Sequence, residues 1–411
     1  MRSRNSSAHG HRVQLDRSLG LGLITLYGLG NILGAGIYVL VGEVIGVAGA
    51  ATPLAFLLAA TIAALTAFSY GELAARFPVS AGEAVYVQEA FGRRWLSMAV
   101  GLLIALAGMV SAATLSRGFT GYFQVLATAP DALIIVCLVA ALGAIAAWGI
   151  GSSARFAAVL TLVEAGGLVM IVIVAGGELD STPQILSRML DSSEQAIVPG
   201  MMLGALLAFF AFIGFEDMIN VAEEVKSPER NLPLGILIAL TVSTVIYLLV
   251  VLTAMTSIPV DVLAGSEAPL ALVYEHATGR SPVVISAIGM LAVVNGALIQ
   301  IIMASRIFYG MSVKGWLPPA LGVVHARTRT PLLSTAVVCA IVVTLALWIP
   351  LVTLAGATSF LVLAVFALVN LALLRLKRLE PRMVGVMPCP LWVPALGAAT
   401  SFGLLAAQAI F

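Results

Sequence analysis

The stretch Gly28-Leu29-Gly30-Asn31-Ile32-Leu33-Gly34-Ala35-Gly36-Ile37-Tyr38 decides the fold of this sequence. It lies within a long apolar run, where each glycine weakens a helix by about 1 kcal/mol relative to alanine. One interpretation is a small-residue face for helix packing, which Gly30 and Gly34 match. The other is a helix that unwinds at mid-membrane, so that its freed N–H groups face a cavity. This stretch alone leaves both open.

A second stretch favours the unwound helix. Phe209-Phe210-Ala211-Phe212-Ile213-Gly214-Phe215-Glu216-Asp217 places a glycine and two adjacent carboxylates inside another apolar run. Adjacent acids cannot both face one packed helix surface, because successive residues point about 100° apart. We therefore expect a local departure from regular helix in both stretches.

The composition indicates a polytopic membrane protein. The chain has 411 residues, of which 61% are hydrophobic and 10% charged, with a net charge of +1. Soluble domains carry roughly 25% charged residues. A near-zero net charge also excludes an electrostatic nucleic-acid binder. The three cysteines are scattered along the chain and the four histidines lie outside the apolar runs, so the sequence predicts no metal and no other cofactor. The absence of a GxxxxGK[ST] motif argues against ATP hydrolysis.

Cutting the chain at its charge and Pro/Gly clusters predicts an all-α protein with eleven spans, because a span needs about 20 apolar residues. The predicted ranges are 20–47, 52–75, 95–120, 130–150, 154–176, 199–222, 232–257, 281–310, 331–349, 351–374 and 390–411. With the N-terminus inside, 18 Lys and Arg residues fall inside and two outside. The positive-inside rule therefore predicts a multi-pass inner (plasma) membrane protein with a cytoplasmic N-terminus, and no cleaved leader is predicted.

The interrupted first and sixth spans occupy matching positions of two five-span units. We assign 1–19 to a cytoplasmic tail, 20–176 to the first unit, 199–376 to the second, and 377–411 to a cytoplasmic loop and span eleven. An odd number of spans per unit inverts the second unit relative to the first. Paired broken helices in inverted repeats point to the substrate site of a secondary transporter.

Three blocks resemble the amino acid–polyamine–organocation (APC) superfamily, nearest to its cationic-amino-acid-transporter-like bacterial permeases. They are GLGNILGAGIYVLVG (28–42), FFAFIGFEDMINVAEEVKSPERNLPLG (209–235) and RIFYGMSVKGWLP (306–318). The resemblance implies the leucine-transporter-type five-plus-five inverted repeat, here with an eleventh helix, working by alternating access. The family usually has twelve spans, whereas eleven are predicted here. Any dimer contact that relies on the eleventh and twelfth spans is therefore in doubt.

The resemblance also implies a substrate site. The backbone N–H groups of Ala35, Gly36 and Ile37 would hold a substrate carboxylate, as a helix N-terminus holds an anion. The substrate ammonium would be received by the carbonyls of four residues, which are Ile32, Phe210, Ala211 and Ile213. The ring of Phe210 would act as an occluding gate, although simple core packing is an alternative for it.

Glu164 is the main departure from the family. Many members place a lysine in the fifth span where it stands in for sodium, whereas this sequence has a carboxylate. Desolvation favours the neutral form of a buried carboxyl group, which would suit a proton carrier. Two alternatives stay open, namely a cation ligand for sodium and a static buried pair with Arg117.

Other polar residues in the spans have less specific interpretations. Arg117 is expected to snorkel to the outer interface. Glu216 and Asp217 could attract a cationic side chain or hold the inner half of the sixth span. Asn295 and Gln300 are interpreted as interhelical hydrogen-bonding groups rather than ligands. The segment 77–94 is expected to be a short amphipathic element at the cytoplasmic mouth.

The sequence thus predicts a secondary active amino acid permease in the lipid bilayer, with proton-coupled symport or exchange and a monomeric or weakly dimeric state. The runner-up is a polyamine or organic-amine carrier. A transporter-like nutrient sensor is a third possibility. A membrane-embedded enzyme is not predicted, because the spans lack convergent His, Cys or paired carboxylates with metal-ligand spacing.

Overall fold

A computed structural model of the chain describes residues 17–78, 82–148, 154–177, 194–380 and 389–410. Residues 1–16 of the predicted tail (1–19) and residues 381–388 of the predicted loop lie outside these ranges. The described residues form helices and no β-strand, with one isolated bridge between Leu19 and Val225. The α-helices in chain order are α1 Leu21–Leu33, α2 Ala35–Ala48, α3 Thr52–Arg76, α4 Gly82–Phe91, α5 Arg94–Gln124, α6 Asp131–Trp148, α7 Ala154–Ala175, α8 Glu194–Phe212, α9 Pro228–Ser257, α10 Val260–Ala264, α11 Pro269–Thr278, α12 Val283–Val313, α13 Leu332–Trp348, α14 Leu351–Leu379 and α15 Trp392–Ile410.

The helices confirm the all-α polytopic prediction. Eight helical stretches among the described residues are long and apolar enough to cross a membrane, and α1 and α13 are shorter apolar helices. One of the eight stretches, Gly36–Arg76, comprises α2 and α3, which are separated at Gly49 with φ +53°. Each of the eleven predicted ranges contains helix. Lipid offers no hydrogen-bond partners to the backbone, so an apolar run that crosses it forms a helix, which satisfies its own backbone hydrogen bonds.

Tryptophans mark the ends of several helices. Trp95 and Trp392 lie at the start of α5 and α15, and Trp148 and Trp348 at the end of α6 and α13. All four are exposed, Trp348 at 82%. Exposed indole rings at helix ends are typical of the two membrane–water interfaces, where an amphipathic ring is most stable.

The interior is built from helices that pack in pairs. The long helix α5 packs along α12 and α14, and α3 packs along α9 and α8. The two halves of the first span separate: α1 lies against α7 and α9, whereas α2 lies against α8. The predicted amphipathic segment is present as α4, between α3 and α5 in sequence. The ends of α1, α2 and α8 therefore meet inside the bundle.

A buried ion network ties α3 to α14. Glu72 lies 2.6 Å from Arg76 and 2.7 Å from Lys377 between charged atoms. Its Oε2 also accepts the N–H of Cys389 at 2.8 Å, and Lys377 donates to the Cys389 carbonyl at 2.5 Å. The network joins the end of α14 to the segment that leads into α15. Its only sequence signal is the i,i+4 spacing of Glu72 and Arg76.

Candidate functional site

The first span is interrupted at one residue. Helix α1 ends at Leu33, Gly34 adopts φ −42° and ψ −157°, and α2 begins at Ala35. The Gly34 N–H still donates to the Gly30 carbonyl at 2.9 Å. The predicted break is confirmed, but it is a sharp kink rather than a long unwound stretch. The first N–H groups of α2 have no partner within their own helix, as at every helix start.

The sixth span is interrupted at Gly214. Helix α8 ends at Phe212, Gly214 has φ +128°, and a 3₁₀ helix follows over Glu216–Glu224. A Cβ at Gly214 would lie 2.6 Å from the Asn31 carbonyl oxygen, so only glycine fits. The Gly214 N–H donates to Glu216 Oε2 at 2.9 Å. The Glu216 carboxylate therefore stabilises the backbone at the break.

The two breaks face each other across a very short distance. A Cβ at Gly36 would lie 2.7 Å from the Ala211 Cα, so the start of α2 contacts the end of α8 through backbone. The hydroxyl of Tyr247 on α9 lies 2.5 Å from the Ile32 carbonyl and 2.9 Å from the Ala211 carbonyl. A phenol has one hydrogen to donate, so the two carbonyls share it. Tyr247 was missed in the sequence, where it is only a tyrosine in an apolar span.

A small cavity lies where the breaks meet α5 and α12. Its volume is about 30 Å³, which is roughly the space of one water molecule. The lining residues are Asn31, Ile32, Gly36, Ser111, Leu115, Phe210, Ile213, Gly296 and Gln300.

The cavity brings together four of the seven predicted substrate residues, namely Ile32, Gly36, Phe210 and Ile213. Ala211 and Ile37 directly follow the lining residues Phe210 and Gly36 in the sequence. Both are buried, but neither lines the cavity. The Ala35 side chain lies outside the described residues, although its backbone begins α2.

The prediction for Gln300 was wrong. Its side chain lines the cavity and has no hydrogen-bond partner within the described part of the chain. Asn295, on the same helix, behaves as predicted and donates to Glu164 Oε1 at 3.3 Å. Ser111 of α5 also lines the cavity and was not singled out in the sequence.

Glu164 is fully buried between α7 and α12. Its Oε1 accepts the Asn295 amide, and its backbone carbonyl accepts the Tyr38 hydroxyl at 2.7 Å. Its Oε2 has no hydrogen-bond partner among the described residues. The alternative of a static pair with Arg117 is wrong, because Arg117 donates instead to the Ile349 carbonyl at 2.5 Å. That carbonyl closes the C-terminus of α13, where a cation is favoured by the helix dipole.

A further buried carboxylate lies on α4, outside the spans. Glu83 is 6% exposed and accepts the hydroxyl of Tyr70 at 3.3 Å. Burial is the main cause that raises its pKa to about 7, and the nearby Asp217 charge adds to the shift. Glu83 thus links α4 to α3 through the Tyr70 hydroxyl.

Known proteins are similar to this chain along nearly its whole length. The model of a family described as amino acid permease matches residues 21–411. The branched-chain amino acid permease BcaP of Bacillus subtilis is 29% identical over 402 residues, covering 92% of this chain and 84% of that protein. The methylthioribose transporter of the same organism is 29% identical over 413 residues, covering 95% and 87%. Cationic amino acid transporter 3, mitochondrial, of Arabidopsis thaliana is 30% identical over 403 residues, covering 92% and 65%.

Proposed function

The chain belongs to the amino acid permease family, and from that premise we propose that it is a secondary active amino acid transporter that works by alternating access. The observation that carries the proposal is the meeting of two interrupted helices over one cavity that α5 and α12 also line. We propose further that the protein lies in the plasma membrane with its N-terminus in the cytoplasm, as the distribution of Lys and Arg predicts.

The substrate would bind through backbone groups. The free N–H groups at the start of α2, from Ala35, Gly36 and Ile37, would hold its carboxylate. Its ammonium would meet carbonyls at the ends of α1 and α8, where the last carbonyls of a helix have no intrahelical partner.

Two of the proposed ammonium acceptors, Ile32 and Ala211, already accept the Tyr247 hydroxyl, and the Phe210 carbonyl accepts the Ile213 N–H at 3.3 Å. This does not exclude the substrate, because each carbonyl oxygen has two lone pairs.

The cavity is too small for an amino acid, so binding requires its walls to move. Phe210, which is 5% exposed and lines the cavity, is the proposed gate. A water-sized cavity between two broken helices is what an occluded, substrate-free arrangement would leave.

Helix packing supports the proposed five-plus-five repeat. The third span packs on the tenth (α5 on α14) and the eighth on the fifth (α12 on α7). The first packs on the seventh (α1 on α9) and the sixth on the second (α8 on α3). Adding five to, or subtracting five from, both span numbers turns the 3–10 pair into the 8–5 pair and the 1–7 pair into the 6–2 pair, which is the pairing that an internal repeat generates.

We propose proton coupling through Glu164. A buried carboxylate without a cationic partner is costly in its charged form, and the ion pairs found among the described residues do not include Glu164. Its backbone accepts the hydroxyl of Tyr38, which lies on α2 just beyond the first break. Movement of α2 on substrate binding would therefore change the surroundings of the carboxyl group.

Uptake into proteoliposomes tests both levels of the proposal. Labelled amino acids and a polyamine are offered with and without an imposed pH gradient, to wild type, Glu164→Gln, and the exposed control Glu229→Gln. We expect saturable amino acid uptake, driven by the gradient in wild type and control, whereas the Glu164→Gln protein retains exchange but does not accumulate substrate.

Unchanged pH dependence in the Glu164→Gln protein would remove the proton role, and dependence on a sodium gradient would replace it. Saturable binding without uptake or exchange would favour the sensor, and uptake of the polyamine alone would favour the amine carrier. If the protein neither binds nor takes up any of the compounds, the proposed transport function itself is overturned.

A further inference from the structure

The walls of the cavity between the two breaks are electrically neutral. Among the described residues that line it, none carries a charge. Ile32, Leu115 and Ile213 contribute apolar surface, and Ser111 and Gln300 contribute a hydroxyl and a carboxamide. Whatever side chain a bound amino acid carries would therefore meet aliphatic groups and neutral dipoles.

Two carboxylates of the sixth and fifth spans, Glu216 and Glu164, are engaged elsewhere. Glu216 accepts the Gly214 N–H at 2.9 Å and so closes the second break. Glu164 accepts the amide of Asn295, which precedes the lining residue Gly296 and so points about 100° away from it around α12. Neither carboxylate lines the cavity as a counter-ion for a cationic substrate side chain.

The polar groups that do line the cavity are unpaired. Asn31 has a buried Nδ2 without a hydrogen-bond partner in the described chain. Within the same residues, the Ser111 hydroxyl and the Gln300 carboxamide also have none. Buried polar groups in native proteins are nearly always hydrogen-bonded, to protein or to water, so the Asn31 amide, together with the accessible Ser111 and Gln300 groups, indicates a ligand-binding or water-binding wall.

From this wall we infer that the transported substrate is a neutral amino acid, and that Gln300 is a position at which charge selectivity is set. The inference rests on the proposed function and adds the substrate class to it. A lysine or arginine side chain would bring a cation against neutral walls without an anionic partner, which costs far more than burying a neutral side chain. A site rejects such a ligand by leaving its charge unpaired.

Competition experiments in proteoliposomes test the inference. Uptake of a labelled neutral amino acid, the best substrate found among leucine, alanine and serine, is measured against unlabelled lysine and arginine. We expect the two cationic amino acids to compete about 100-fold more weakly than the unlabelled neutral substrate, which corresponds to about 2.7 kcal/mol.

The variant Gln300→Glu should then reverse part of the selectivity. A carboxylate at this position gives a cationic side chain its partner, so inhibition by lysine and arginine should strengthen at least tenfold relative to that by the neutral substrate. The matched control is Gln88→Glu on α4, which makes the same chemical change at a residue that does not line the cavity, and it should keep the wild-type order.

The outcomes separate this inference from the function on which it rests. Saturable transport of lysine or arginine by wild type with an affinity equal to that for leucine would overturn the neutral class and leave the transporter intact. Because that arm needs no variant, it decides even where Gln300→Glu does not fold. Equal selectivity in a folded Gln300→Glu protein would remove Gln300 as a selectivity position. Failure of every amino acid to be transported would instead overturn the proposed function.

Discussion

Tyr247 offers the sharpest test of how the two breaks are joined. Its side chain is fully buried, and its hydroxyl is shared by the Ile32 and Ala211 carbonyls. Its ring contacts Phe212 and Phe56 edge-on, with centroids 5.2 Å and 6.1 Å away. The substitution Tyr247→Phe keeps these ring contacts and removes only the hydrogen bond, so its effect isolates the link between α1 and α8.

The magnitude follows from what the two carbonyls lose. A typical hydrogen bond contributes about 0.5–1.5 kcal/mol net, and leaving a buried acceptor unsatisfied costs about 1–3 kcal/mol. Because one donor serves two carbonyls, we expect the closed arrangement to lose about 1–3 kcal/mol. This corresponds to about a 5- to 150-fold shift toward arrangements in which the breaks are apart.

Exchange kinetics and thermal unfolding in detergent measure this shift. We expect Tyr247→Phe to lower the apparent KM for substrate, because a larger fraction of the protein is then open for binding, and to lower the Tm of the substrate-free protein. The matched control is Tyr274→Phe on α11, whose hydroxyl has no hydrogen bond within the described residues. A Tyr247→Phe protein with the KM and Tm of this control would refute the idea that the hydroxyl joins the breaks.

Two further predictions concern buried carboxylates away from the cavity. Lys377→Met leaves Glu72 with one of its two cations, and breaking a buried pair costs about 3–5 kcal/mol. The Tm of this variant should therefore fall well below that of the exposed control Arg378→Met. Equal Tm values for the two variants would contradict this. Burial raises the pKa of Glu83 from 4.5 to about 7, so its contribution to stability is complete below pH 4.5 and is lost as the pH rises through about 7, amounting to about 3 kcal/mol. Thermal unfolding from pH 4.5 to 8 should show this loss in wild type and in Glu89→Gln but not in Glu83→Gln, and parallel curves for all three proteins would exclude it.

The sequence predicted the helices and their interruptions well because both leave local signals. An apolar run of about 20 residues specifies a span whatever it packs against. The glycine cluster around Gly34 and the adjacent acids after Gly214 mark backbone that cannot continue as regular helix. The extent of the breaks was less predictable. The first is a kink at a single residue, since α2 resumes at once to pack against α8.

The sequence did not predict in which direction a side chain points around the axis of its helix. Asn295 and Gln300 are both single polar residues in the same apolar helix, yet only the second lines the cavity. Five residues correspond to about 140° of rotation, so the two side chains leave α12 in different directions. Arg117 shows the same limit, because its partner is the Ile349 carbonyl of a helix far away in sequence. Such partners depend on which helices become neighbours, which no local pattern encodes.

The arrangement separates two tasks that a charged site would combine. If the substrate's carboxylate and ammonium are held by the helix ends around Gly34 and Gly214, then recognition needs no ionised side chain at the cavity. Glu164, buried behind it and held by one neutral amide, is then free to change its protonation state without altering the groups that bind substrate. Substrate selectivity and ion coupling should therefore be separable by mutation. Gln300→Glu would change the first while pH-driven accumulation persists, and Glu164→Gln would abolish accumulation while the order of substrates persists. A single variant that moved both properties together would show that one group serves both tasks.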